Sequence, residues 1–246
     1  ASSDYPLRDV YKRQAQTASL SADQVMDKMY HAPKPTTSVL TMTRVISKGK
    51  QTLTRSVVSY ATGDNNKGEV EKGLMKFLAP GDIKGSGFMT LKKVDGTTES
   101  QLWLPAMGKV RRLSSSNADQ DQPFFGSDFT NRDINGFNQK DYTYQLLGFA
   151  DGIYTVEATA VKPLGYDRLV YEIDAQTFRS RKVECYRGTK LVKFQTISYA
   201  TVQNYLMPER ILMSSSSGSS TELKFTEYKL DQPLGDQFFT ERYLKQ

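Results

Sequence analysis

The sequence is poor in the residues that most often carry catalysis or metal binding: its 246 residues hold one cysteine, one histidine and one tryptophan. A single Cys excludes an internal disulfide framework, and one Cys with one His supplies too few soft ligands for a structural zinc site. Cys-His catalysis lacks partners for the same reason. No apolar run approaches the ~20 residues that a membrane-spanning helix needs. Ser114-Ser115-Ser116 has no Gly-x-Ser-x-Gly framing, and Gly85-Ser86-Gly87 lacks the following helix and Lys-Ser/Thr of a phosphate loop. Asp119, Asp121 and Asp128 do not have the spacing of a calcium loop and read as a solvated loop. The net charge of +6 is spread along the chain and interleaved with Asp and Glu, which makes it a weak pointer to any anionic partner. No strand motif of RNA recognition and no helix-turn-helix is present. The sequence therefore offers no enzyme, no metal site, no cofactor and no nucleic-acid partner.

What is present is a large apolar inventory. Hydrophobic residues make up 38 %, with 14 Tyr and 12 Phe, which is too many for a disordered chain. Residues 7–14 resemble translated cloning or adapter sequence, so residues 1–14 are set aside as a non-native leader and 15–246 are read as one domain. A helix starts at Ser21, which with Gln24 forms a capping box, while Leu20 can staple onto Val25. Val25, Met26 and Met29 form its apolar stripe, and Pro33 and Pro35 end it. His31 falls in the surface connection beyond.

After Thr37 the period becomes strand-like. Strand candidates run over 39–47, 51–61, 69–78, 87–94, 98–104, 142–147, 153–161, 168–174, 179–186, 191–199, 209–214 and 221–230. Pro80, Pro105, Pro163, Pro208 and Pro233 fall at or beyond their ends, as a sheet requires. Asp95-Gly96 and Asp151-Gly152 suit tight hairpin turns, where both residues must tolerate positive φ. Cys185 reads as a small hydrophobe inside a strand. The fold class is thus mainly β (α+β): a curved antiparallel meander. Two segments depart from it. Residues 113–140, with Phe124, Phe125, Phe129 and Phe137, read as a packed loop with short helical turns, and 232–246 as a docked terminal turn or short helix.

The apolar material exceeds what a one-sided sheet needs. Phe88, Met89, Leu91, Trp103, Leu104, Met107, Phe124, Phe125 and Phe129 crowd the middle third. Met and aromatic side chains fill an ordinary core as readily as they line a site for a flexible acyl chain, and composition does not separate the two. Lys109-Val110-Arg111-Arg112 places cations beside this cluster, with Val110 turned inward and the charges toward solvent or the next loop.

Several motifs are more specific in combination. Phe77-Leu78-Ala79-Pro80-Gly81-Asp82-Ile83-Lys84-Gly85-Ser86-Gly87-Phe88, Leu102-Trp103-Leu104-Pro105-Ala106 with Lys109-Val110-Arg111-Arg112-Leu113, Gly126-Ser127-Asp128-Phe129-Thr130, and the tail Phe238-Phe239-Thr240-Glu241-Arg242-Tyr243-Leu244 together resemble the LolA-like outer-membrane lipoprotein-sorting family. The resemblance runs from about Ser21 to the end. It implies a roughly eleven-stranded antiparallel half-barrel covered by helices, a periplasmic location, and a non-catalytic carrier of lipid or lipoprotein acyl chains moving toward the outer membrane. In some branches it also implies a transporter partner of the resistance-nodulation-division type. On this footing the cavity lining is expected at Phe88, Leu91, Trp103, Leu104, Met107, Phe125, Phe129, Tyr144, Tyr171 and Phe194, with Met26 and Met29 on a covering helix. Arg111 and Arg112 are expected to meet anionic headgroups, a membrane surface or a partner. The alternative is an envelope adaptor with a filled core that docks to an exporter complex.

Overall fold

The computed structural model describes residues 20–63, 71–93 and 97–246. The leader assigned to residues 1–14 and the Asp95-Gly96 turn lie outside them. The described residues form two compact units, one within 20–32 and 138–196, the other within 33–137 and 197–246. The described residues form thirteen strands, against roughly eleven implied by the resemblance. Among the described residues, no helix is long and apolar enough to cross a membrane.

In the first unit, helix α1 (Ala22–Tyr30) begins as the sequence predicts: Ser21 accepts from the Gln24 amide and the Gln24 side chain accepts from the Ser21 amide. Val25 and Met26 are fully buried, and the helix lies on β7 (Tyr142–Ala150) and β8 (Ile153–Ala160). The strands pair in the order β11 (Lys190–Val202), β10 (Ser180–Arg187), β9 (Arg168–Asp174), β8, β7. Asp151 and Gly152, at φ of 52° and 74°, close the β7–β8 hairpin in the left-handed conformation their types tolerate. Leu169, Tyr171 and Ile173 are buried on one face of β9, as their alternation predicts. Cys185 is buried in β10, and His31 is exposed, its Nδ1 within 2.9 Å of the Asp27 carbonyl.

The second unit runs β6 (Lys109–Leu113), β5 (Thr98–Leu104), β4 (Gly87–Lys92), β3 (Glu71–Ala79), β2 (Gln51–Thr62), β1 (Thr37–Lys48), β13 (Ser220–Leu230), β12 (Tyr205–Ser215), β11. From β6 to β12 each strand runs antiparallel to its neighbour. Strand β6 is the addition to the strands read from sequence. It ends the order, and Lys109, Arg111 and Arg112 are exposed along it, the charge pattern that protects a free sheet edge. A second correction concerns Pro208, which lies inside β12 rather than at its boundary. It precedes Arg210, where the register with β13 begins, so its missing N–H costs that ladder nothing.

Within this unit each face of the sheet has its own cover. One face carries Met42, Val57, Phe77, Phe88, Met213 and Leu223, packed beneath Phe124 and Phe129. The other carries Leu74 and Met89 with Tyr60, Trp103 and Val110, packed beneath Phe238, Phe239, Tyr243 and Leu244 of the tail. The tail forms a 3₁₀ turn at Asp236–Phe239 and helix α4 (Glu241–Leu244). It comes so close at Gly87 that a Cβ there would lie 2.7 Å from Leu244 Cδ1 and 3.3 Å from its carbonyl oxygen. The Lys76 ammonium, its pKa lowered by burial, donates to that Leu244 carbonyl at 2.6 Å and to Gly85 at 3.1 Å.

Leu244 is fully buried, so Leu244→Ala removes a docked anchor and leaves a cavity. The expected loss is about 2–5 kcal/mol in urea unfolding. An unchanged midpoint would show that the tail contributes nothing to the sheet's stability.

Candidate functional site

The face beneath the 114–137 segment can be followed strand by strand. Its register places Met42 opposite Val57 and Phe225, Val57 opposite Phe77, Met75 opposite Phe88, and Phe88 opposite Leu102. Because strand side chains alternate between faces, the same row continues through Ser59, Ala61, Gly73, Thr90 and Thr98. Here the residues are small. Gly73 leaves room for its neighbour, since a Cβ on it would meet Thr90 Oγ1 at 2.6 Å and force that side chain to turn away. The row of small residues leaves a partly open cavity of about 230 Å³ lined by Ser59, Ala61, Gly73, Met75, Phe88 and Thr90, with Ile134 and Asn135 of the cover and the charged Glu71, Lys72 and Lys92 also along it. That is below the ~300–1,000 Å³ of sites for drug-sized ligands.

The cover is a self-organised insert. Helix α2 (Asn117–Gln120) is capped by Ser116 and helix α3 (Asn131–Asn135) by a Thr130–Asp133 capping box. Asn131 donates to the Asp119 carbonyl at 2.8 Å, Asn135 to Gln120 at 2.8 Å, and Arg132 pairs with Asp121 at 2.9 Å. Between the helices a tight turn projects Phe124, whose amide donates to the Phe129 carbonyl at 2.7 Å. Phe125 sits at φ 49°, a left-handed conformation that costs a bulky residue roughly 1–2 kcal/mol. Asp128 ties this turn to β13, accepting from the hydroxyls of Ser219 and Thr221. The three Asp residues that read as a solvated loop therefore each hold the cover together.

Two arginines stand under that turn. Arg44 is 3 % exposed, and Arg55 lies directly opposite it across β1 and β2. Arg44 sits over the rings of Phe77, Phe124 and Phe125 at 4.7, 5.6 and 5.9 Å. Its Nη1 and Nη2 make long contacts to the carbonyls of Phe124 (3.4 Å) and Phe125 (3.5 Å). Arg55 Nη1 donates to the Phe125 carbonyl at 2.6 Å, and Lys48 donates to the Gly126 carbonyl at 3.0 Å. Burial, with repulsion from Arg55 added, pulls the Arg44 guanidinium down to about 9, so it stays charged at neutral pH. Burial also lowers Arg55, against the pull of Asp82.

The expected lining residues are distributed as follows. Phe88, Phe125 and Phe129 come together at this face. Trp103 does not join them: it packs with Leu74 and the tail on the opposite face, and it is its neighbour Leu102 that packs beside Phe88. Alternation puts Leu91 on the Met89 side and Leu104 on the Leu102 side, both half-buried. Met107 is exposed in the 3₁₀ turn after β5. In the first unit the Tyr30 hydroxyl bonds Tyr144 and Tyr171, its pKa raised by burial; Tyr144 also donates to the Gln139 carbonyl at 2.9 Å. Met26 is buried in α1, Met29 is half-buried, and Phe194 packs near the Lys182 ammonium at 5.7 Å. Arg111 pairs with Asp119 at 2.6 Å, while Arg112 is exposed.

Sequence reasoning missed Arg44, Arg55 and the small-residue row. The available signal was parity: Arg44 occupies the same face of its strand as Met42 and Ile46, both 4 % exposed.

The fold has clear relatives. A domain from Vibrio parahaemolyticus, provisionally described as outer membrane lipoprotein-sorting, is 25 % identical with a TM-score of 0.83, over 92 % of this chain and 98 % of that one. A DUF1329 family protein from Desulfovibrio piger shares the fold at 24 % identity and a TM-score of 0.82, over 91 % and 97 %. A LolA superfamily protein from Nitrosomonas europaea does so at 21 % and 0.68, over 92 % and 100 %. The architecture is thus the LolA-like one that the motifs suggest. A family model described as "Uncharacterized protein" matches residues 69–246, and the chain belongs to that family. The comparison with curated proteins found no match.

Asp119 tests how the cover is held. Its carboxylate lies below the ordinary value of 3.8, chiefly through the hydrogen bond from the Ser114 hydroxyl, then the Ser114 amide and Arg111. A depressed carboxylate stabilises the fold above its unfolded pKa and loses that effect as pH falls through the folded value. Amide protection in residues 114–120 is expected to drop below about pH 3.8, and Asp119→Asn to weaken it already at neutral pH. Protection that tracks only the intrinsic exchange rate across this range contradicts the assignment.

Proposed function

We propose that this protein is a non-catalytic carrier, acting in the periplasm, that shelters acyl chains of lipids or lipoproteins against the apolar face beneath residues 114–137 and passes them toward the outer membrane. The observation that carries the reading is the combination of a LolA-like fold with a sheet face covered by a discrete, separately organised insert. Phe88, Phe125 and Phe129 are the proposed contacts in the second unit, and Tyr144, Tyr171, Met26 and Met29 in the first. A transporter of the resistance-nodulation-division type rests on the family resemblance alone.

The energetics need no reactive group. Each buried methylene contributes about 0.8 kcal/mol, so roughly a dozen supply a large gross affinity before the cost of ordering the chain. A cavity of about 230 Å³ holds only part of such a chain. Loading therefore requires Phe124, Phe125 and Phe129 to yield, which exchanges one set of apolar contacts on the sheet for another. Such an exchange is close to balanced and hence reversible, as a carrier needs.

The test is denaturing mass spectrometry of protein expressed to the periplasm, with titration by cis-parinaric acid. Co-purifying acyl species and saturable uptake are expected. No acyl species and no uptake would contradict the carrier and leave the filled-core adaptor. Ala61→Leu projects into the cavity and should weaken cis-parinaric acid binding several-fold, at an overpacking cost of about 1–3 kcal/mol in stability. Unchanged affinity would place the acyl chain elsewhere.

A further inference from the structure

Arg44 and Arg55 are poorly served by what surrounds them. Like charges directly opposite on adjacent strands repel. The Nε atoms of both guanidiniums are buried and have no hydrogen-bond partner. No carboxylate bonds either one among the described residues; their acceptors are the carbonyls of Phe124 and Phe125, reached by Arg44 only at 3.4 and 3.5 Å. Asp82 attracts Arg55 without bonding it, and Arg55 is half-buried, so the cost falls mainly on Arg44, a buried cation whose only acceptors among the described residues are long carbonyl contacts. Both guanidiniums reach the same Phe125 carbonyl oxygen, and a tetrahedral oxyanion at that point offers several oxygens that can accept from both at once.

We propose that Arg44 and Arg55 form a phosphate-binding site, held closed in this structure by the carbonyls of the Phe124–Gly126 turn. A phosphate attached to an apolar chain displaces those carbonyls, satisfies both guanidiniums and releases Phe125 from its left-handed conformation. Lys48, which holds the Gly126 carbonyl, is then free to join the phosphate. The chain itself replaces Phe124 against Phe88 and Phe125 against Phe77, ring pairs whose centroids stand 5.0 and 4.4 Å apart. This deepens the carrier reading and rests on it for the apolar chain, though not for the anion: the ligand class becomes a phosphate-bearing amphiphile.

Calorimetric titration of the purified full chain with dodecyl phosphate, dodecanol and inorganic phosphate, all below micellar concentration, separates the claims. Dodecyl phosphate is expected to bind at least about tenfold more tightly than dodecanol. Arg55→Gln and Arg44→Met should abolish that margin, Arg55→Lys should retain part of it, and Lys34→Gln, an exposed change, should leave it intact. Should Arg44→Met fail to fold, Arg55→Gln reads the site alone, since Arg55 is only half-buried. Arginine-dependent binding of inorganic phosphate without any binding of dodecanol supports the site with free phosphate as its ligand, and counts against the carrier. Equal affinities for dodecyl phosphate and dodecanol, insensitive to Arg55→Gln, overturn the site and leave the carrier standing. Binding of none of the three overturns both.

Discussion

A β-strand cannot turn one row of side chains toward shelter without presenting the alternate row on the other side. In the second unit both rows are apolar, and everything else about that unit follows from the need to cover two faces. The C-terminal tail closes one, anchored by Leu244 at Gly87 and by the Lys76 ammonium at the Leu244 carbonyl. The 114–137 insert closes the other. The two covers differ in kind. Beneath the tail lies Leu74 at 1 % exposure and tight backbone approach; beneath the insert lie small residues, a pocket, the buried Arg44 and the half-buried Arg55.

That difference assigns the roles. The tail behaves as part of the core. The insert carries its own capping boxes and carboxylate pairs, so it can keep its internal structure while its grip on the sheet changes. That grip combines the apolar packing of Phe124 and Phe129 with cations on main-chain carbonyls and the hydroxyls that hold Asp128. Carbonyls are weaker partners for a guanidinium than an oxyanion is, so the polar part of that grip consists of contacts an anion could replace.

Much of the architecture was legible in the sequence because local chemistry specified it. Ser21 with Gln24 set the start of α1, Asp151-Gly152 set a hairpin, and the phenylalanine-rich 113–140 stretch and the aromatic tail stood out as departures from strand periodicity. Strand β6 was hidden because Lys109, Arg111 and Arg112 give an edge strand the composition of a surface cluster. The site was harder to read. Within one strand the alternation is visible, but which row of one strand shares a face with which row of the next depends on register, and register is set by pairing. Hence Trp103, adjacent to Leu102 in sequence and opposite Gly87 in the sheet, reads as a companion of Phe88 until the register separates them. Arg44 was passed over because a charge amid apolar alternation resembles an outward residue; only the parity of Met42 and Ile46 marks it as inward.

The central claim is that the face under the insert is where apolar cargo sits. Photolabelling with a diazirine-bearing fatty acid, followed by peptide mapping, addresses it most directly. Adducts are expected on Met42, Val57, Met75, Phe88, Phe124 or Phe129. Adducts confined to exposed positions such as Leu53, Met107 or Val161, with that face unlabelled, would contradict it.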